Sequence, residues 1–330
     1  MRPRIGLLLG DPSGIGPELV VRLLTQAELA PANVLVIGSR LSFEDAQRLT
    51  GVKIDAVPVN RPEQVETTAG LCFFDIDPLQ KESIAPGRPT AAAGAAVIRS
   101  LKLAVHLARR GAIDAICYAP LNKEALHLAG FRFPDELRFF AHELGHTDDA
   151  GEISVMGRAW TSRVTSHVPI SEVPRLITAA AIRRAVRLLH ATIRRSGIDR
   201  PRIAVAALNP HAGDGGNFGR EEIDVIRPAV LEAAAEGIHA DGPFPADTIF
   251  LKLREGLYDG VVTMYHDQGQ IAMKLMGFQR GVTVGGGLPI PVTTPAHGTA
   301  FDIAWQGRAD AGAMIAAFNL AVRMASRENS

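Results

Sequence analysis

A chain of 330 residues that is 47% hydrophobic is long enough for one large domain or two moderate ones, with a sizeable core. Its 35 Lys and Arg balance 35 Asp and Glu, so the formal charge is +0 and nothing in it favours nucleic acid or an anionic membrane. Cys72 and Cys117 stand in apolar surroundings and read as buried free thiols; with no membrane-length apolar run and no signal sequence, a soluble cytoplasmic protein is expected.

Residues 4–9 read as a buried strand, because a Gly/Asp/Pro turn follows where a leader would carry its cleavage site. That turn, Gly10-Asp11-Pro12-Ser13-Gly14-Ile15-Gly16-Pro17-Glu18, leads into a helix over 17–26, with Pro17 suited to its first turn. Glycines let backbone approach a ligand and a helix N-terminus favours an anion, so Gly14 and Gly16 are candidate cofactor contacts. The spacing is not the dinucleotide fingerprint, and a plain tight turn is the competing reading of the same residues. Residues 34–37 are strand-like, 90–109 form an Ala-rich helix ending at Gly111, and 112–118 are the next buried strand. Helix is expected within 170–197, strand over 202–208, and helix over 221–236 and 312–327. The alternation predicts an α/β protein with largely parallel strands. No internal repeat or long linker interrupts it.

Polar groups at the ends of buried strands are where open α/β sheets place chemistry. The apolar run 260–264 leads into Tyr265-His266-Asp267-Gln268-Gly269-Gln270, with Lys274 just beyond. His167 and His211 also follow strand-like runs. Any single histidine is more often an ordinary core or surface residue, but three in the same situation suggest a convergent metal site with an open position. The loop Asn209-Pro210-His211-Ala212-Gly213-Asp214-Gly215-Gly216 is able to wrap a ligand, with Asn209 as a further contact. Asp247 is either an N-cap of a helix over 248–252 or a functional carboxylate. Gly285-Gly286-Gly287 and the block His297-Gly298-Thr299-Ala300-Phe301-Asp302 offer amides and side chains for phosphate or ribose.

Taken in order, Ala119-Pro120-Leu121-Asn122-Lys123-Glu124-Ala125-Leu126, Asn209-Pro210-His211-Ala212-Gly213, Pro245-Ala246-Asp247-Thr248, Met264-Tyr265-His266-Asp267-Gln268-Gly269 and His297-Gly298-Thr299-Ala300 resemble the 4-hydroxythreonine-4-phosphate dehydrogenase family. The resemblance spans nearly the whole chain. The blocks at Gly14–Glu18 and His297–Ala304 are also similar to isopropylmalate and isocitrate dehydrogenases. It implies their two-domain α/β/α fold with the active site in the interdomain cleft: residues 1–127 plus 285–330 on the cofactor side, and 128–284 for metal binding and dimerisation. It implies NAD, one divalent metal ion (Zn, Co, Mn or Mg), and a homodimer sharing its sites. His167 and His211 would come from one chain and His266 from its partner. Lys274 falls on the family's substrate-contacting lysine, and Gly14, Gly16, His297, Gly298, Thr299 and Asp302 on the cofactor side.

Several positions depart from the family. Asp135-Glu136-Leu137-Arg138 replaces a Gly-His-Thr-Glu, Thr283 stands for a substrate-binding asparagine, Val292 for an arginine and Ala296 for an aspartate. Valine supplies none of the charge-assisted bonds of an anion-binding arginine, each worth about 1.5–3 kcal/mol. The expectation is retained chemistry on an altered substrate. A secondary alcohol of a phosphorylated hydroxy acid is oxidised, with decarboxylation where a carboxylate lies β to the new carbonyl. Branches acting on 4-phosphothreonate, 4-phosphoerythronate or a carboxylated cis-dihydrodiol are the alternatives. Arg138 and Arg280 are relocated-anion candidates, though solvated surface arginines are the simpler reading. Lys274 and Asp247 are candidates for proton transfer or substrate holding. A metal hydrolase and a non-catalytic sugar-acid-binding protein are the rivals of another class.

Overall fold

The computed structural model describes residues 2–27, 29–76, 84–146 and 150–327. They form two compact units, 1–147 with 288–330, and 148–287.

The first unit begins with β1 (Arg4–Leu8), α1 (Gly16–Leu24), β2 (Asn33–Gly38), α2 (Arg40–Thr50), β3 (Val57–Val59), α3 (Pro62–Thr67) and β4 (Leu71–Asp75). It continues through α4 (Ala91–Arg109), β5 (Ala115–Tyr118), α5 (Lys123–Leu128) and α6 (Glu136–Glu143). The second unit holds β6 (Gly151–Met156), β7 (Ala159–Arg163), α7 (Val173–Leu176), α8 (Ala179–Arg195), β8 (Ile203–Ala206), α9 (Arg227–Ala235) and β9 (Ala240–Phe244). It ends with α10 (Ala246–Arg254), β10 (Gly260–Thr263), α11 (His266–Gly277) and β11 (Gly281–Gly286). The chain then returns to the first unit as β12 (Val292–Pro295) and α12 (Gly312–Ser326).

In the first unit β3, β4, β2, β1, β5 and β12 lie in that order, all parallel. Leu7, Leu8, Leu35, Val36, Ile37, Phe73, Ile116 and Cys117 are all but inaccessible, as expected of strands covered on both faces. The chain leaves β1 for β2 on one side and reaches β5 on the other, so the carboxyl end of β1 is a topological switch point. By length and composition α4 is apolar enough to cross a membrane, contrary to the sequence expectation, but 56% of that stretch is buried in the protein. Its Gly94 lets α5 approach: a Cβ there would meet the Ala125 carbonyl oxygen at 1.9 Å.

In the second unit the order is β11, β6, β7, β10, β8, β9. β6 runs antiparallel to both neighbours, and the remaining pairs are parallel. On α8, Ile182, Ala185, Val186, Leu189 and Ile193 form the buried stripe, while Arg183 and Arg187 pair with Glu232 and Glu236 on the α9 side. Both expected helical stretches form, each with a local departure. Within 170–197 the chain is extended at Ile177, and Thr178 caps a fresh helix by accepting from Ala181 N at 3.2 Å. Within 221–236 the first turn, Glu222–Ile226, is a wide π turn in which Arg227 N donates to Glu222 O. Pro228 follows at once and has no N–H to continue a tighter ladder backwards. Gly285 and Gly286 are ladder residues opposite Glu152 and Gly151, so the expected phosphate-binding glycine loop is largely strand.

Candidate functional site

β7, β10 and β8 are adjacent and parallel, so their carboxyl ends share one edge of the second unit's sheet. His167 follows β7, His266 follows β10 and His211 follows β8, each within a few residues of the strand end. The β7–β10 pairing persists beyond the strands. Val164 N donates to Thr263 O at 2.8 Å, and Thr165 donates to Met264 O from N at 3.1 Å and from Oγ1 at 2.8 Å. Arg163 pairs with Glu152 at 2.5 Å and donates from Nε to Ser166 Oγ at 2.8 Å, which steadies the approach to His167. His167 then takes the left-handed backbone, φ 41°, a conformation that costs a side-chain-bearing residue about 1–3 kcal/mol and concentrates at functional sites.

The β10 loop is locked by Gln268. Its Oε1 accepts from Met264 N at 2.7 Å and its Nε2 donates to Ala207 O at 2.8 Å, tying the ends of β10 and β8 together. Gly269 packs so close to Thr263 that a Cβ would lie 3.1 Å from its Oγ1. His266 opens α11, with Nδ1 2.6 Å from Asp267 Oδ1. A carboxylate at Nδ1 favours the tautomer protonated there and leaves the Nε2 lone pair for a metal ion. The imidazoles of His167 and His266 lie 5.6 Å apart, centre to centre, on a cavity of about 300 Å³ that Ser166, Ile170, Tyr265 and Asp267 also line.

His211 lies outside those walls. It sits in a short left-handed run, with φ of 53° at His211, 56° at Ala212, 79° at Gly213, 43° at Asp214 and 67° at Gly215. The run is anchored by Glu222, whose Oε1 accepts from Leu208 N at 2.9 Å and Asn209 N at 2.8 Å. The Asn209 side chain donates to Glu221 at 2.7 Å and to Glu222 at 3.0 Å. Asn209 is thus engaged in holding its own loop. Among the described residues, no three His, Cys, Asp or Glu side chains of this single chain converge on one point. The imidazoles suit a transition ion chemically; of the three, His167 and His266 of one chain share a cavity.

Asp247 lies in the first turn of α10, whose cap position is Pro245. It is therefore not the N-cap, since the helix starts earlier than expected. Asp247 and Lys274, on α11, are both exposed. Thr283 is half-buried on β11, its register partner Ser154 accepting a 2.9 Å hydrogen bond from Gln270. Arg280 and Arg138 are exposed, and Arg138 N is capped by Asp135 at 2.7 Å.

The first unit joins the two blocks predicted to serve a cofactor. The loop after β1 lies at the switch point, and Ile15 N donates to Thr299 O at 3.1 Å. Trp305 Nε1 donates to Pro12 O at 2.9 Å, while Glu18 Oε1 accepts from Ala309 N at 3.0 Å and from Arg22 Nε at 2.8 Å. Gly14 and Gly16 are required by packing within the protein: a Cβ would meet Thr299 Cβ at 2.8 Å and Leu9 O at 2.3 Å respectively. Gly298 has open space around it, His297 is half-buried and Asp302 exposed. Asp11, fully buried, accepts from Ser13 N at 2.7 Å through Oδ1, but its Oδ2 and the Ser13 hydroxyl have no partner. Burial pushes the Asp11 carboxyl up from 3.8 to about 6, against the lowering effect of the Ser13 amide.

Glu222, Gln268 and Asp11 were given no role from sequence. Two of them stand inside the quoted motifs, whereas Glu222 is separated from His211 by a glycine-rich loop and resembles a helix-start glutamate.

The family model of the pyridoxal phosphate biosynthetic protein PdxA matches residues 30–321. A Pseudomonas aeruginosa relative, provisionally named 4-hydroxythreonine-4-phosphate dehydrogenase 2, is 50% identical over 98% of this chain and 97% of its own length. The D-threonate 4-phosphate dehydrogenase of Salmonella typhimurium is 38% identical over 97% of this chain and 98% of its own. The crystal structure of 4-hydroxythreonine-4-phosphate dehydrogenase from Klebsiella pneumoniae is similar with a TM-score of 0.85 at 38% identity, covering 98% of each chain.

Proposed function

Because this chain belongs to the PdxA family, we propose that it is an NAD-dependent, divalent-metal-dependent dehydrogenase of the cytoplasm that oxidises a secondary alcohol in a phosphorylated hydroxy acid. The observation that carries the reading is the placement of His167 and His211 beyond β7 and β8 on one edge of the sheet, with His266, beyond β10 on that edge, the ligand each chain would lend its partner. A divalent ion held by the three imidazoles would polarise the alcohol oxygen and then the carbonyl oxygen. Asp267 fixes the tautomer of His266, while Gln268 and Glu222 hold the strand-end loops. A nicotinamide bound on the cofactor side would accept the hydride of the carbinol carbon, and Lys274 or Asp247 would take the hydroxyl proton, the other holding the substrate. Thr283 completes the substrate side, while Asn209, tied to Glu221 and Glu222, keeps the His211 loop in shape. Where the product carries a carboxylate β to the new carbonyl, loss of carbon dioxide follows. His297, Gly298, Thr299 and Asp302 form the cofactor side, at the N-terminus of α1 and the switch point of the first unit, with Gly14 and Gly16 packing the α1 loop against Thr299 and Leu9.

The working form in this reading is a homodimer, with His266 of each chain completing the partner's site. Supporting it, Val168, Ile170 and Leu176 on one segment and Ile271 and Leu275 on α11 are exposed apolar side chains of the second unit, Leu275 at 84%. Val168 and Ile170 also line the His167–His266 cavity.

Thr283, Val292 and Ala296 argue for a substrate other than 4-hydroxythreonine 4-phosphate, and a threonate 4-phosphate is the first choice. NADH formation by metal-loaded enzyme is measured on both compounds, on 4-phosphoerythronate and on a carboxylated cis-dihydrodiol, with His211→Ala alongside. Turnover of threonate 4-phosphate at the highest rate, lost in the variant, is expected. A higher rate on 4-hydroxythreonine 4-phosphate removes the changed-substrate reading. Metal-independent turnover, or none at all, removes the mechanism.

A further inference from the structure

The His211 loop poses a physical problem. A run of left-handed residues that includes His211, Ala212 and Asp214 is costly, and such a run persists only where its surroundings over-determine it. The loop is exposed at His211 and Asp214, so apolar packing does not hold it there. Its far end is closed by Phe218 N, which donates to Gly213 O at 3.1 Å, and by Asn217, which donates to Asp214; its near end is held by a carboxylate reaching in from the next element. Glu222 is 1% exposed and stands at the start of the π turn. It takes both backbone amides that lead into the loop, Leu208 N and Asn209 N, on one oxygen. The other oxygen takes the Asn209 carboxamide and lies so near Gly213 that a Cβ there would come within 2.7 Å. The glycine is therefore fitted to the carboxylate, and the wide turn is placed where it delivers that carboxylate. π turns inside helices are frequent at functional sites, and here the wide turn aims Glu222 at the loop.

We propose that Glu222 is a positioning residue for His211: its carboxylate holds the 208–213 backbone in the one conformation that presents the imidazole to the metal ion. The inference rests on the metal reading above and extends it to a group that touches neither metal nor substrate. Outer partners of metal ligands characteristically change affinity by about 10–100-fold when altered. Glu222→Gln is nearly isosteric and keeps one acceptor oxygen for the two backbone amides, but it sets an amide donor against the Asn209 donor. Glu222→Asp keeps the charge and withdraws it by one methylene.

Co2+ binding is measured by calorimetric titration of the full-length chain in wild type, Glu222→Gln, Glu222→Asp and His211→Ala. Exchange of the Leu208 and Asn209 amides with deuterium is followed in parallel. Expected are an affinity about 10–100-fold lower in both Glu222 variants, faster exchange at those two amides, and kcat returning towards wild type once Co2+ is saturating. A role in folding alone would lower thermal stability and leave the Co2+ affinity of the folded fraction unchanged, which overturns the proposal. So does wild-type affinity in the Glu222 variants when His211→Ala has lost it; the metal reading then stands without the positioning role. Equal Co2+ binding by wild type and His211→Ala, or none by either, overturns the metal reading and the proposal together.

Discussion

Asp11→Asn isolates the energetic cost of a buried carboxylate. In the folded chain Asp11 is fully buried, one carboxyl oxygen has no partner, and its pKa is raised from 3.8 to about 6. The folded state thus holds the proton more tightly than the unfolded chain does. The stabilisation linked to that proton is complete below the unfolded value of 3.8 and is lost as pH rises through the folded value of about 6. A displacement of roughly two pKa units corresponds to about 3 kcal/mol between the two ends of that window. Asparagine retains the acceptor for Ser13 N and does not titrate. Its extra amide hydrogens impose a cost that does not change with pH, so the pH-dependent part cancels everything except Asp11. Trp305 is the reporter, since its indole donates to Pro12 O beside Asp11, and Trp160→Phe silences the other tryptophan. Urea midpoints of Trp305 fluorescence are compared at pH 4 and pH 7.5 in wild type and Asp11→Asn. The variant should gain on wild type by about 2.5 kcal/mol in moving from the acid to the neutral condition, the rest of the window lying below pH 4. Parallel pH dependence in the two proteins would refute the assignment of a raised pKa to a desolvated Asp11.

Gly94→Ala should lower the urea midpoint of the first unit. The helix-propensity gain of about 1 kcal/mol is outweighed by a methyl placed 1.9 Å from the Ala125 carbonyl oxygen, a class of overpacking that costs about 1–3 kcal/mol or more. Burial raises the thiol of Cys117 to about 12 and raises that of Cys72 as well, so a chromogenic disulfide reagent at pH 8 should release colour only on unfolding; rapid reaction of the native protein would contradict that burial. Subunit mixing tests which histidines share a site. If His167 and His211 belong to one chain and His266 to its partner, co-refolding His167→Ala with His266→Ala restores about a quarter of the sites, whereas His167→Ala with His211→Ala restores none. The reverse pattern would assign the same-chain neighbours His167 and His266 to one site and His211 to the partner.

The α/β class was legible because strand and helix alternate with clear periods, and β1, β2, β5, β8, β10, α4 and α12 lie close to where their apolar patterns put them. Neighbour relations were not. Nothing local says that β10 inserts between β7 and β8, because that order comes from long-range packing, yet it is what brings three strand-end histidines to one edge. The fine structure of the helices at 170–197 and 221–236 is not legible, since Thr178 and Pro228 act through capping and a missing N–H that the hydrophobic period does not reveal. Gly285 and Gly286 looked like a ligand loop because glycine marks both close approach and close packing; the 2.7 Å between a Gly286 Cβ and Ile153 Cδ1 decides for packing. Gly14 and Gly16 carry the same ambiguity, and packing against Thr299 and Leu9 explains them without a ligand.

The interleaving of the two units sets an order on biosynthesis. Everything the second unit contains lies within 148–287, whereas the first must wait for 288–330 to supply β12 beside β5 and α12 over both strands. During translation, therefore, the second unit is complete as a segment while the β5 edge of the first still lacks its neighbour. A nascent chain paused in this interval exposes an unpaired strand edge and the apolar bed of α12, the kind of surface that chaperones cover and that aggregates when they do not.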